Sequence, residues 1–367
     1  MHFNEIAGQF AIEGNVTDVR PLGNGLINDT YLVSTSEGKK YVLQRINHAI
    51  FKDVELLQRN IAYVTAHIRA KLIAAGEDDI DRKVLRFISL KDSDSTYYTD
   101  GESYWRMSAF IEDSVTVETV TPESSYCAGK AFGEFQSMLV DIKDPIGETI
   151  PDFHNMELRA RQLREAVAKD LVGRCLEPEV RDFLSEIDLH IDEMCKAERL
   201  HREGILPKRI CHCDTKVSNM LFDKDGSALC VIDLDTLMPS FIFSDVGDFL
   251  RTAANYVAED CPEIDKVGFN MEIFRPFIKG YLESAGSFLT EVEKENIPYA
   301  AALFPFMQAV RFLTDYINGD TYYKIAYPEH NLVRTRNQMV LFRSVLSHWD
   351  QMKAIIQSEE SGSLRAF

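Results

Sequence analysis

The chain has no G-x-x-x-x-G-K-S/T run, which excludes a P-loop nucleotide site. It also lacks a G-x-G-x-x-G fingerprint after a strand, because Asn28 stands where the third glycine would follow Gly23 and Gly25; a dinucleotide-binding turn is therefore disfavoured. No stretch reaches the roughly 18 consecutive apolar residues that a membrane span requires. The opening Met1-His2-Phe3-Asn4-Glu5 has no basic region followed by an apolar core, so no secretory signal is expected and a cytoplasmic location is. Cysteines number seven, with no C-x-x-C pair. Cys211-His212-Cys213 is their only cluster, and a zinc site would need a second pair at matching spacing. In an extended segment the two thiols would also face away from His212, so buried, reduced thiols are the expectation. Cations are in deficit: 40 Lys and Arg against 58 Asp and Glu give a net charge of −18, which argues against nucleic acid or an anionic membrane as partner. Low-complexity tracts and internal repeats are absent as well.

What remains is a 367-residue chain of ordinary globular composition, 45% hydrophobic, long enough for two lobes with cores of their own. Its most informative stretch is Ile210-Cys211-His212-Cys213-Asp214-Thr215-Lys216-Val217-Ser218-Asn219-Met220-Leu221-Phe222. A turn at Asp225-Gly226 and the apolar run Leu229-Cys230-Val231-Ile232-Asp233-Leu234-Asp235 follow. The pattern is His-x-Asp-x-Lys-x-x-Asn, a strand, a turn, a second strand and an acid. Phosphoryl transfer from Mg-ATP calls for such a set. Asp214 would receive or orient the proton of the attacking hydroxyl, and Lys216 would meet the charge on the transferred group. Asn219 and Asp233, with Asp235 as a further candidate, would hold Mg²⁺. A surface hairpin with solvated acids is the bland alternative, and it fits poorly with acids that follow Val-Ile without a turn residue.

The His-x-Asp-x-x-x-x-Asn run with Ile-Asp-Leu-Asp is similar to the aminoglycoside phosphotransferase and choline kinase group, and its closer wording resembles the N-acetylhexosamine 1-kinases. The resemblance extends over roughly Val16 to Trp349 but is dense only between Cys211 and Arg251. It implies an α+β, two-lobed protein-kinase-like fold, with a nucleotide-binding lobe over residues 1–112 and a catalytic and acceptor-binding lobe over residues 113–367. It further implies ATP and Mg²⁺ as cofactors and the anomeric hydroxyl of N-acetylglucosamine or N-acetylgalactosamine as acceptor.

Within the first lobe, strands are expected at Val16–Leu22, 31–33, 41–46, Val84–Leu90 and Ser103–Ile111, with a helix from Phe51 to Ala75. In a kinase fold the Gly23-x-Gly25 turn would lie over the phosphates, and Asn28 would face phosphate or sugar. The third strand departs from the kinase pattern: Gln44 stands where a phosphate-binding Lys is usual, with Arg45 next to it, and the residues leave open which of the two acts. Glu55 and Asn60 are candidates to pair with a cation there. Phe110 and Glu112 would form the hinge at the adenine edge.

The second lobe reads as helical, with 3.6-residue periods through Ala128–Leu139 and Val180–Met194, a charged helix over 157–174, and a tail of helices at 269–282, 298–317 and 333–356. The resemblance makes Asp245 an acid that steadies the catalytic loop, and Asp248 reads equally well as a helix-start acid. Sugar recognition needs hydrogen-bonding groups and an aromatic face, and Arg311, Tyr322 and Trp349 supply them. Core packing explains Trp349 better, since it continues the Leu341-Val345-Met352 stripe. Choline, homoserine, methylthioribose or an aminoglycoside remain open as acceptors. From another class, a nucleotide-binding pseudokinase remains open, with Gln44 in its favour. The short interval from Asp235 to Ser244 leaves no room for a long activation loop, so a small-molecule acceptor is expected over a protein.

Overall fold

The computed structural model describes residues 3–23 and 27–363, with side chains described through 360. Gly25, expected at the phosphates, lies outside the described residues. The chain divides into two compact units. One comprises Met1–Thr116, Met138–Pro151 and Met220–Met238; the other comprises Val117–Ser137, Asp152–Asn219 and Pro239–Phe367. The expected cut at residue 112 lies close to the first of these boundaries, but the first unit also takes two later segments.

The first unit is built on an antiparallel five-stranded sheet of order β1-β2-β3-β5-β4. Its strands are β1 (Val16–Pro21), β2 (Asp29–Thr35), β3 (Lys40–Ile46), β4 (Tyr97–Thr99) and β5 (Tyr104–Ala109). Alternation along β3 and β5 sends Tyr41, Leu43, Trp105 and Met107 to one face, where they pack with Phe10, Val33 and Ile88. The opposite face carries Gln44 and Arg106, which stand directly across from each other in register. The strand expected at Val84–Leu90 does not form. That segment makes isolated bridges, Phe87 to Ser108 and Leu90 to Phe10, and the regular fourth strand comes later, at Tyr97. Three aromatic or β-branched residues in a row form that strand, while the apolar side chains of 84–90 are satisfied by core packing with only partial ladder bonding.

The helix of this unit runs Val54–Ala74, started by the Asp53 carboxylate accepting the Leu56 N–H at 2.8 Å. Val54, Leu57, Ile61, Val64 and Ile68 are buried, the face that the period predicts. Asn60 is buried too, and its side chain donates to Gly147 O (2.7 Å) and Leu237 O (3.2 Å). Those bonds tie both later segments to the helix, and Glu55 is exposed, so neither residue pairs with a strand-three cation. A hairpin in this unit pairs Met220–Phe222 with Ala228–Val231, Met220 opposite Val231. Its turn uses Gly226 at φ +86°, a conformation that suits a residue without Cβ. Phe222 exchanges both backbone hydrogen bonds with Val115, each 2.9 Å.

The second unit is helical. Ile297–Ile317 is its central helix, apolar on nearly every side, as a helix enclosed by others must be. Pro122–Leu139 and Met271–Ala285 cross so closely that a Cβ on Gly129 would sit 2.1 Å from Phe277 O, and one on Gly280 would sit 2.3 Å from Tyr126 O. The expected single tail helix over 333–356 is instead two, His330–Ser347 and Trp349–Ser363. His348 leaves helical geometry between them, and its Nδ1 bonds the Ser344 carbonyl at 2.8 Å. Among the described residues no helix is long and apolar enough to cross a membrane.

Candidate active site

In the second unit, strand Arg209–Cys211 leads into a loop that turns sharply at Cys213, whose φ of +64° is costly for a residue with a side chain. Such a turn persists only where its surroundings impose it, and here Asp245 does. Its carboxylate, 1% exposed, accepts the N–H of Cys213 at 2.8 Å, the N–H of His212 at 3.1 Å and the Gln136 side-chain amide at 2.7 Å. Burial pushes the Asp245 carboxyl above the usual range, against the pull of His212 and these N–H donors. One helical turn on, Asp248 accepts the Thr215 N–H at 3.1 Å and pairs with Arg251 at 3.1 Å. Asp248 therefore holds the loop from a buried position and is more than a helix-start acid. Gln136 is itself oriented by the Tyr281 hydroxyl, which donates to its Oε1 at 2.6 Å.

Held at both sides, the loop presents three polar side chains together. Lys216 Nζ lies 2.9 Å from Asp214 Oδ1. Asn219 Nδ2 donates to the Asp214 backbone oxygen at 2.8 Å and to Asp214 Oδ2 at 3.1 Å. Burial draws the Lys216 ammonium downward, but Asp214 and Asp248 outweigh it and its pKa is raised. Because Asn219 commits its amide nitrogen to Asp214, its Oδ1 is the atom left for a ligand, a hard oxygen donor suited to Mg²⁺. The Cys211 and Cys213 thiols are buried and pushed well above the usual range, chiefly by that burial. All seven cysteines are free thiols.

A pocket of about 270 Å³ opens in the same unit, lined by Arg159, Lys169, Arg311, Asp315, Tyr322 and Tyr323 among others. Asp315 shapes it: its carboxylate accepts the N–H groups of Thr321, Tyr322 and Tyr323 at 2.9, 2.8 and 2.9 Å, and the Asn331 amide at 2.9 Å. The Arg311 guanidinium lies 5.6 Å from the Tyr323 ring centroid and 5.8 Å from that of Phe153. Arg159 donates to Phe153 O at 2.5 Å and Gln162 Oε1 at 3.0 Å. Neither arginine has a carboxylate partner within ion-pair distance among the described residues. Burial first, and the neighbouring Arg311 second, lower the Arg159 pKa to about 10. His154 links this pocket to the helix that holds the loop. Its ring stacks on Phe153, its Nδ1 lies 3.0 Å from Ser244 Oγ, and burial among three arginines holds it well below the usual imidazole range.

The model of the phosphotransferase enzyme family matches residues 18–274, most of the chain and all of the loop and hairpin. The chain belongs to this family. The phosphotransferase fold is the kinase-like one, and solved structures share it at low identity. An aminoglycoside phosphotransferase from Alicyclobacillus acidocaldarius superposes with a TM-score of 0.64 at 14% identity, covering 96% of each chain. A choline kinase from Cryptosporidium parvum gives 0.57 at 15% identity, covering 93% of this chain and 92% of that one. The amicoumacin kinase hAmiN, solved with AMP-PNP and Ca²⁺, gives 0.56 at 16% identity, covering 88% and 87%.

Several expected site residues of the phosphotransferase are committed elsewhere. Asp235 is 3% exposed; its Oδ1 is ion-paired with Arg106, and its Oδ2 accepts the Asn28 amide at 2.6 Å. With both oxygens turned to protein partners, it does not present a metal ligand. Asn28, expected to face phosphate or sugar, is buried instead and also accepts the Asn47 N–H at 2.9 Å. Gln44 is bonded to Thr30 Oγ1 (3.3 Å) and to Arg106 Nε (2.9 Å), while Arg45 is half exposed and paired with Asp29. Gly23 has φ +68°, and a Cβ built on it would meet none of the described residues within 4 Å. At the expected hinge, Phe110 donates its N–H to Lys40 O at 3.1 Å, and Glu112 pairs with Lys40 at 3.2 Å.

Arg311 and Tyr322 line the pocket, and Tyr322 is 70% exposed there. Trp349 is not among the lining residues: it begins the last helix, half-buried, with Lys353 Nζ 5.9 Å from its ring centroid. Sequence reasoning did not single out Arg106 or Arg159. An arginine amid Tyr-Trp-Arg-Met-Ser-Ala on an apolar strand is the signal that marks Arg106. Arg159 carries no such mark, because it lies in a charged amphipathic helix, Met156–Lys169.

Proposed function

We propose that the protein is an ATP-dependent kinase for a small polyhydroxylated acceptor, namely the anomeric hydroxyl of an N-acetylhexosamine. The observation that carries the reaction type is the cluster of Asp214, Lys216 and Asn219 on one braced loop. Asp214 orients the acceptor hydroxyl and receives its proton. Lys216, resting against Asp214, turns its ammonium to the transferred phosphoryl group. Asn219 Oδ1 and the Asp233 carboxylate would be the oxygen donors for Mg²⁺, which would neutralise the phosphate charge. Transfer then proceeds by positioning and charge compensation without a covalent enzyme intermediate.

The pocket supports the acceptor class. The cations Arg159, Lys169 and Arg311 outnumber the acids Glu165 and Asp315 in the lining, and the Asp315 carboxylate is taken up by backbone N–H groups, which disfavours a cationic acceptor such as choline or an aminoglycoside. Tyr322 and Tyr323 offer ring faces to the C–H side of a sugar, and Arg311 offers N–H donors to a hydroxyl or an acetyl carbonyl. The residue pattern from His212 to Asp235 supports the N-acetylhexosamine reading through the resemblance given above.

The test is ADP release with Mg-ATP against N-acetylglucosamine, N-acetylgalactosamine, choline, homoserine, methylthioribose and kanamycin, with Asp214→Asn in parallel. Turnover with an N-acetylhexosamine that Asp214→Asn abolishes, giving an acid-labile sugar phosphate, is the expected result. Turnover with a different acceptor overturns the sugar assignment alone. ATP binding without turnover on any acceptor overturns the enzymatic reading.

A further inference from the structure

Kinase-like folds pair a β3 lysine with an acid on the neighbouring helix. This chain has Gln44 at the β3 position, and the candidate helix acid, Glu55, is exposed. The buried charge pair of the sheet is a different one. Arg106 enters from β5, directly opposite Gln44 in register, and is 2% exposed. It ion-pairs with Asp235, and its Nε donates to Gln44 Oε1 at 2.9 Å. Gln44 is in turn held by Thr30, and Asp235 by Asn28 at 2.6 Å. The Thr149 hydroxyl donates to the Asp235 carbonyl at 3.0 Å, so side chain and backbone of this residue are both fixed. Asp235 is two positions beyond Asp233, which itself sits in left-handed geometry at φ +60°. Aspartate adopts that conformation more readily than most side-chain-bearing residues, and it turns the chain just before the fixed Asp235.

We infer that Arg106 and Asp235, aligned by Gln44 and Asn28, are positioning residues that clamp the Asp233 turn to the sheet and set the carboxylate of Asp233 for a nucleotide-bound divalent cation. The inference rests on the reading of Asp233 as a metal ligand. A guanidinium this deeply buried does not reach the phosphates, so the role of Gln44 is to orient Arg106 and not to replace the lysine as a phosphate ligand. The positive charge absent from position 44 of β3 is present directly across from it on β5, where it organises the metal ligand through Asp235.

The test is the equilibrium affinity for ATP measured by calorimetry, once with EDTA and once with saturating Mg²⁺, together with the Mg²⁺ concentration at half-saturation. The variants are Arg106→Gln, Asn28→Ala and the double variant Arg106→Gln with Asp235→Asn. The double variant leaves no unpaired buried charge and guards against simple misfolding. Outer-shell partners of a metal ligand typically change metal affinity about 10- to 100-fold. A rise of that size in the Mg²⁺ requirement is expected in all three variants, with ATP affinity in EDTA unchanged. A loss of ATP affinity in EDTA would mean direct phosphate contact by Arg106 and would overturn the clamp. So would variants that melt earlier but keep the wild-type Mg²⁺ dependence. A wild-type protein that binds ATP equally well with and without Mg²⁺ would overturn the metal reading of Asp233 itself, and the clamp with it.

Discussion

The Asp245 carboxylate accepts the Cys213 backbone N–H at 2.8 Å, at the residue where the loop adopts a left-handed turn just before Asp214. The Asp245 carboxylate accepts from N–H groups, those of His212 and Cys213 and the Gln136 amide, whose oxygen is already taken by Tyr281. An asparagine at this position must aim its own NH₂ at one of these donors. Asp245→Asn is expected to cost about 1–3 kcal/mol of stability and to lower kcat more than either KM. Thermal melts beside steady-state kinetics check it; unchanged kcat in a folded variant would remove the bracing role.

Lys216 is expected to act on the transferred group. Lys216→Met should lower kcat by roughly 10²- to 10³-fold, with the KM for ATP within a few-fold of wild type. Its raised pKa keeps the ammonium charged through the neutral range, so no Lys216-dependent loss of rate is expected as pH rises to 9 or so. The pH–rate profile tests this directly.

Arg311 lines the pocket and donates a hydrogen bond to Gln308 Oε1 at 2.7 Å. Arg311→Gln is expected to raise the acceptor KM by about 10- to 100-fold, the worth of a charge-assisted hydrogen bond, and to leave the KM for ATP in place. A rise in the ATP term alone would assign this pocket to something other than the acceptor.

Glu198 is buried, and its carboxylate accepts the Met156 N–H at 2.7 Å at the start of the pocket helix. Burial raises its pKa from the ordinary 4.5 to about 7, with the Met156 N–H pulling the other way. The folded state thus holds the proton more tightly than the unfolded chain. Stability from this group is complete below pH 4.5 or so, falls as pH rises towards 7, and is lost above that. Glu198→Gln is expected to raise the melting temperature by a few degrees at pH 8 and hardly at all at pH 5. An equal shift at both values would contradict the raised pKa.

Gly129→Ala would place a methyl group against the Phe277 carbonyl, 2.1 Å away, in a crossing where backbone meets backbone. Backbone cannot step aside as a side chain can. A loss of about 3 kcal/mol is expected. Denaturant titration checks it, with the exposed turn variant Gly226→Asn as a mild control.

The stretch from His212 to Asp233 was readable without a structure because its chemistry is local. Asp214, Lys216 and Asn219 fall within one short loop and bond to each other, and a glycine turn joins two apolar runs. Helical periods likewise exposed the buried faces of Val54–Ala74 and Pro178–Met194, since burial of one stripe leaves its mark every three to four residues. What alternation and spacing cannot carry is the partner of a buried polar group. Arg106 meets Asp235, Asn28 meets Asp235, and Asn60 meets Gly147 and Leu237 across long stretches of sequence. Each pairing arises because a polar group removed from water must find a bond wherever the fold brings one, and no neighbouring residue announces it. The break at His348 has the same origin: the apolar stripe runs on through Val345 and Met352, and only the turn of the backbone at His348, with its ring bonded back to Ser344, separates the two helices. By itself the sequence determined the polar loop of Asp214, Lys216 and Asn219 and the amphipathic faces, whose interactions are short-range. The tertiary structure alone decided that Asp235 is locked in an ion pair with Arg106, because only the fold brings β5 against the segment that follows the hairpin.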